Sequence, residues 1–107
     1  MTIKYSYHLT TSAKKDLNEI YEYVYFNLGN PLSAKNLIHK FEKAFESVLI
    51  MPFRNPLVID HKLTQKHIRR LNIGNYNAFY KVIENEIIFL RIVYRKIKMD
   101  LIIKQLN

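Results

Sequence analysis

The chain has no cysteine. That excludes a disulfide framework, thiolate metal sites and cysteine nucleophiles, and it fits a reducing compartment. No stretch approaches the ~20 consecutive apolar residues that a membrane span requires, and the N-terminal Met1-Thr2-Ile3-Lys4-Tyr5 has no apolar signal core, so a cytoplasmic protein with no membrane partner is expected. Internal repeats and low-complexity linkers are also missing. With 107 residues, 49% of them hydrophobic, residues 1–107 read as one globular domain. Acidic residues are scarce where basic ones gather. His61 to Val82 holds five Lys and Arg with no acid, and Ile87 to Met99 holds four more, again with none.

What is present is charge of one sign in one half. The formal net charge is +8; residues 1–51 carry six Lys and Arg against five acids, and residues 52–107 carry eleven against four. A cluster of this kind is the electrostatic footprint of a polyanion binder.

The apolar pattern gives the order βααβββ. Ile3 to Leu9 alternates with the period of a half-buried strand. Thr10-Thr11-Ser12 offers capping hydroxyls, and Ala13, Leu17, Ile20, Val24 and Leu28 form one helical stripe that ends at Gly29. Gly29-Asn30-Pro31 is a stop followed by a start. A second amphipathic helix follows to Met51, closed by Pro52. Alternation returns near Ile68, Leu71 and Ile73, turns at Gly74-Asn75, runs from Tyr76 to Ile83, turns again at Glu84-Asn85-Glu86, and continues from Ile87 to Tyr94 as an almost unbroken apolar run, which suggests a central strand covered on both faces. The tail, Met99 to Asn107, fits a short helix or a last strand. The fold class is therefore α+β: an N-terminal strand and an antiparallel helical hairpin on one face of a small, mainly antiparallel sheet, with a short C-terminal element.

Strand alternation assigns faces to the charged residues. If Leu71 and Ile73 face the helices, Arg70 faces away with Ile68; in the last strand Arg91 shares a face with Phe89, Val93 and Arg95, and Tyr94 lies with Leu90 and Ile92, unless a bulge intervenes. Arg69, Arg70, Lys81, Arg91, Arg95 and Lys96 would then form one positive hollow opposite the helices. Arg91 stands out, because a cation inside an apolar strand needs either a partner or a functional opening. Asp16, Glu19 and Glu22 read as a solvated stripe on the first helix, pairing with Lys15. Tyr21, Tyr23, Tyr25 and Phe26 suit core and partner contacts. His61 and His67 have no convincing third ligand, so no metal and no other cofactor is expected.

Four segments, "TTSAKKDLNEIYEYV", "NPLSAKNLIHKFEKAFESVLIMP", "RRLNIGNYNAFYKV" and "IIFLRIVYRKIKMD", occur in an order that resembles the RelE/ParE superfamily of toxins from bacterial type II toxin–antitoxin modules, with its ParE-like, plasmid-stabilisation branch favoured. The resemblance covers nearly the whole chain. It implies growth arrest by one of two routes, metal-independent cleavage of messenger RNA on the ribosome or inhibition of DNA gyrase, and neutralisation by an acidic antitoxin whose tail wraps the toxin. For cleavage it implies Arg70, Arg91, Tyr94 and Arg95 as the catalytic candidates, with Lys66, Arg69, Tyr76, Asn77, Tyr80, Lys81 and Lys96 contacting nucleic acid or another target. Asn77 departs from the nuclease pattern, which has an arginine there to grip the scissile phosphate. A non-toxic nucleic-acid-binding module on the same fold is the alternative from another functional class.

Overall fold

The computed structural model describes residues 3–60 and 66–106, so His61 and Lys62 lie outside the described residues. Strand β1 (Ser6–Leu9) leads into α1 (Thr11–Glu22), which ends in a π-helical turn (Tyr23–Asn27). Helix α2 (Pro31–Ile50) returns, and β2 (Arg69–Ile73), β3 (Tyr76–Ile83) and β4 (Glu86–Tyr94) follow before α3 (Met99–Leu106). The sheet order is β1-β4-β3-β2, with β1 parallel to β4 and the other pairs antiparallel. β4 is thus the inner strand that its apolar run implies. The first strand is shorter than its alternation suggests, because Tyr5 packs on the core without joining the ladder. No helix among the described residues is long and apolar enough to cross a membrane.

Local chemistry sets the element ends. Thr10 Oγ1 accepts the Ala13 N–H at 3.1 Å, and Asn30 Oδ1 accepts the Ser33 N–H at 3.1 Å ahead of Pro31 in the first turn of α2. Gly29 has φ +60°, the left-handed conformation that ends a helix without a Cβ penalty. In the β2–β3 turn Gly74 has φ +59° while Asn75 stays negative, the pattern of a type II′ turn with glycine at its first central position.

Two cores sandwich the sheet. Phe41, Phe45 and Val48 of α2 pack on Leu71, Ile73, Ala78, Tyr80, Ile87, Phe89 and Ile92. Phe41 is 0% exposed, so truncation to alanine would remove about 3–5 kcal/mol. On the opposite face Ile102 and Leu106 of α3 cover Ile68, Phe79 and Val93. The tail is therefore a helix, and it fills the face where an open cationic hollow was expected.

The face assignment along β4 also needs correction. The register shifts between Phe79 and Tyr80 of β3: Phe79 pairs with Arg91 and Tyr80 with Phe89, so Leu90 is the extra residue of a bulge. Before the bulge Phe89 faces the helical hairpin; beyond it Val93 faces α3 and Ile92 faces the hairpin. Arg91 and Val93 therefore do not share a face with Phe89, nor does Ile92 share one with Leu90.

Candidate functional site

The bulge and the shortness of β1 together create the first of two surface features. β1 pairs with β4 only as far as Phe89, and the chain then leaves the sheet at Thr10. Thr10 N–H donates to Phe89 O at 3.0 Å and its hydroxyl to Leu90 O at 2.9 Å, so one residue closes the strand edge and caps α1. From there the edge of β4 has no neighbouring strand among the described residues. Asp16, on the second turn of α1, takes over: its Oδ2 accepts Arg91 Nε at 2.7 Å and the Ile92 N–H at 3.0 Å, and its Oδ1 accepts Arg91 Nη2 at 3.0 Å. The carboxylate acts both as counter-ion and as substitute for the missing strand.

This overturns the reading of Asp16 as part of a solvated stripe, and it supplies the partner that Arg91 required. The two side chains are only 11% and 22% exposed. A signal was available in the sequence: Asp16 follows buried Ala13 by three residues and precedes Ile20 by four, which places it on the sheet-facing stripe. Its distant partner left no local trace.

Beside the pair runs a groove of about 550 Å3 between α1 and the free end of β4, lined by Ile20, Tyr23, Tyr76, Ile92, Tyr94 and Ile97. Tyr76 packs edge-on to Tyr94 with ring centroids 6.0 Å apart. Burial, then the neighbouring Tyr23 and Tyr94, push the Tyr76 phenol above its ordinary value of 10.0, so near neutral pH it is a hydrogen-bond donor and not a base. Arg95 and Lys96 are exposed in the turn that follows β4.

The second feature lies at the other end of the sheet, where the chain enters β2. A recess of about 350 Å3 is lined by Phe53, Lys66, His67, Arg69, Lys81 and the aliphatic end of β3, with no carboxylate among the described lining residues. Arg69 Nη1 donates to Phe53 O at 3.1 Å and to Asn55 O at 2.7 Å, and its guanidinium carbon sits 5.2 Å from the centre of the Phe53 ring.

Several residues named from the sequence take other places. Tyr80 is 0% exposed; its hydroxyl donates to Pro52 O at 2.8 Å and accepts from Asn55 Nδ2 at 3.1 Å, so it cannot contact a target and serves the core instead. Burial raises the Tyr80 phenol, partly offset by the Asn55 hydrogen bond and by Arg69 and Arg54. Asn77 is buried, and its Oδ1 accepts a bond from Asn72 Nδ2 at 3.3 Å, so its side chain is packed within the sheet and not presented on the surface. Arg70 lies on the α3 side, beside Pro56 to Asp60, Met99 and Ile103. The six cations expected in one hollow are thus divided among the α1 groove, the α3 face, the β2 recess and the turn after β4. Among the described residues no three His, Asp or Glu side chains converge as a metal would require.

The family model for the "ParE toxin of type II toxin-antitoxin system, parDE" matches residues 7–99. The chain belongs to the ParE toxin family. Among solved structures, the chromosomal ParDE toxin–antitoxin system from P. aeruginosa aligns with TM-score 0.70 and 20% identity, covering 87% of this chain and 98% of that one. The toxin–antitoxin complex RelBE2 from Mycobacterium tuberculosis aligns with TM-score 0.61 and 20% identity, covering 87% of this chain and 100% of that one. A search of curated proteins found no match. This ParE-family chain is the toxin of a type II toxin–antitoxin system. Its fold places β1, the helical hairpin and the three-stranded meander as the resemblance implied.

Proposed function

We propose that this toxin arrests growth by binding DNA gyrase and not by cutting messenger RNA, and that a cognate antitoxin neutralises it. The observation that carries the reading is the Asp16–Arg91 pair: the arginine best placed in the sheet has its charge cancelled by a bidentate carboxylate. Cleavage at a ribose 2′-hydroxyl needs a base, an acid and uncancelled cations around one phosphate, because proton transfer and preorganised charge each supply ~10²–10⁴-fold. Here Arg70 stands on the α3 face, Asn77 is buried, and Tyr76 is held protonated. Tyr94 lines the α1 groove and Arg95 is exposed in the turn that follows it; both serve as target contacts in this reading, not as catalysts.

The antitoxin proposal rests on the ParDE and RelBE2 assemblies to which the fold is similar and on the +8 charge, since complementary potentials speed association with an acidic partner. Induced expression tests the target. Growth arrest with intact ribosomal messages, and loss of supercoiling by purified gyrase when the toxin is added, are the expected results. Codon-linked breaks in ribosome-bound messages with normal supercoiling would assign the toxin to the cleaving branch, and binding of nucleic acid without growth arrest would make it a binding module.

A further inference from the structure

The recess at the entry to β2 is used neither by the groove nor by the gyrase reading, and its chemistry is specific. Lys66, His67, Arg69 and Lys81 converge on a volume suited to one small anion, with no acid among the described residues that line it. Surface lysines alone would say little. Arg69 adds a fixed element: both hydrogens of Nη1 are taken by the carbonyls of Phe53 and Asn55, which removes rotamer freedom while leaving the full positive charge. Among the described residues Nε and Nη2 make no bond, so toward them three of the five guanidinium donors are uncommitted, in a set orientation. His67 is held at φ +53°, an uncommon conformation for a residue with a Cβ, and its ring lines the same recess. The Phe53 ring beside these cations is 57% exposed.

We propose that this recess is a phosphodiester site: it takes one backbone phosphate of a single-stranded nucleic acid, with an adjacent base stacked on Phe53. An exposed aromatic ring in a basic recess favours this ligand over an acidic peptide, because a nucleotide brings an anion and a π-face together while Asp or Glu brings only the anion. Single-stranded is specified because a base held in a duplex has no free face to stack. The site does not depend on which cellular target the toxin arrests.

The test uses the full chain alone, without gyrase or ribosome, and reads the fluorescence anisotropy of a labelled eight-nucleotide oligothymidylate over a range of salt. The double variant K66A/K81A is expected to lose about tenfold in affinity and to reduce the slope of log K against log salt by about 0.7, the contribution of one phosphate contact on a single strand. K35A/K43A, which removes the same charge from the exposed face of α2, should lose less than about threefold. Phe53→Leu should weaken oligothymidylate about tenfold and leave an abasic oligomer of equal length unchanged. Circular dichroism confirms that each variant is folded. Equal losses for the two lysine pairs, or equal effects of Phe53→Leu on the two oligomers, would overturn the site. A glutamate-rich peptide of matching charge that binds more tightly and loses affinity in K66A/K81A would reassign the recess to an acidic protein segment and also overturn it.

Discussion

Arg69 on β2 and Arg91 on β4 flank the same strand, pair in register with neighbouring positions of β3, and are each held by two guanidinium hydrogen bonds. Their partners differ in charge. Arg91 meets a carboxylate, so the α1 groove beside it, lined by tyrosines and aliphatic carbon with Glu19 among them, has no uncancelled cation among its described lining residues. Arg69 meets two carbonyls, which orient it equally well and cancel nothing. A fixed arginine is therefore not in itself a functional cation; whether its anchor is an ion or a dipole decides whether charge is left for a ligand.

The sharpest way to break this comparison is Asp16→Ala. It strips Arg91 of its counter-ion and the Ile92 N–H of its acceptor at a half-buried edge, so urea denaturation should show a loss of about 2–4 kcal/mol. A loss below about 1 kcal/mol would mean that the pair is ordinary surface electrostatics. Arg69→Met should remove about 1.5–3 kcal/mol, because it deletes charged hydrogen bonds to two carbonyls and the contact with Phe53 but leaves no buried ion behind. The order of these two variants is the informative result.

Two tyrosines extend the contrast. Tyr76 in the groove and Tyr80 near Arg69 both have phenols raised by burial. Their protonated forms are favoured in the folded chain, so the stability they contribute is fully present below the unfolded value of 10.0 and is lost as pH rises past it through the folded values. Denaturation profiles should be flat in this respect up to about pH 10 and fall above it. Tyr80→Phe should cost about 1 kcal/mol at neutral pH, through its two hydrogen bonds, and should reduce the alkaline fall; an unaltered fall would place the titration elsewhere. The smallest effect concerns Glu84, which holds φ +56° in the β3–β4 turn. Glu84→Gly should raise the melting midpoint by the equivalent of about 0.5–1 kcal/mol without touching either arginine.

Most of the fold was legible because its signals are local. Asn30-Pro31 and Gly29 mark the hairpin joint, Gly74-Asn75 marks the β2–β3 turn, and the stripes of α1 and α2 identify the faces that bury Ala13, Phe41 and Phe45. The candidate site was less legible. The bulge at Leu90 has no residue signature, yet it reverses every face assignment beyond it, which is why the inferred grouping of Arg91 with Phe89 failed. The spacing of Tyr80 from Tyr76 places both on one strand face, as observed, but burial under the end of α2 removes Tyr80 from solvent and from any target. The charge cluster of the second half was real in sequence and divided in space.

Composition and periodicity alone determined a basic α+β domain with two helices before a three-stranded meander, since capping, turn chemistry and burial of an apolar stripe act over a few residues. Tertiary structure alone decided which arginine keeps its charge. Asp16 and Arg91 are 75 residues apart, and Arg69 and Asn55 are 14 apart across a loop. Electrostatic pairing depends on distance in space, and that distance is fixed only when the sheet register, the bulge and the path of α1 are all in place.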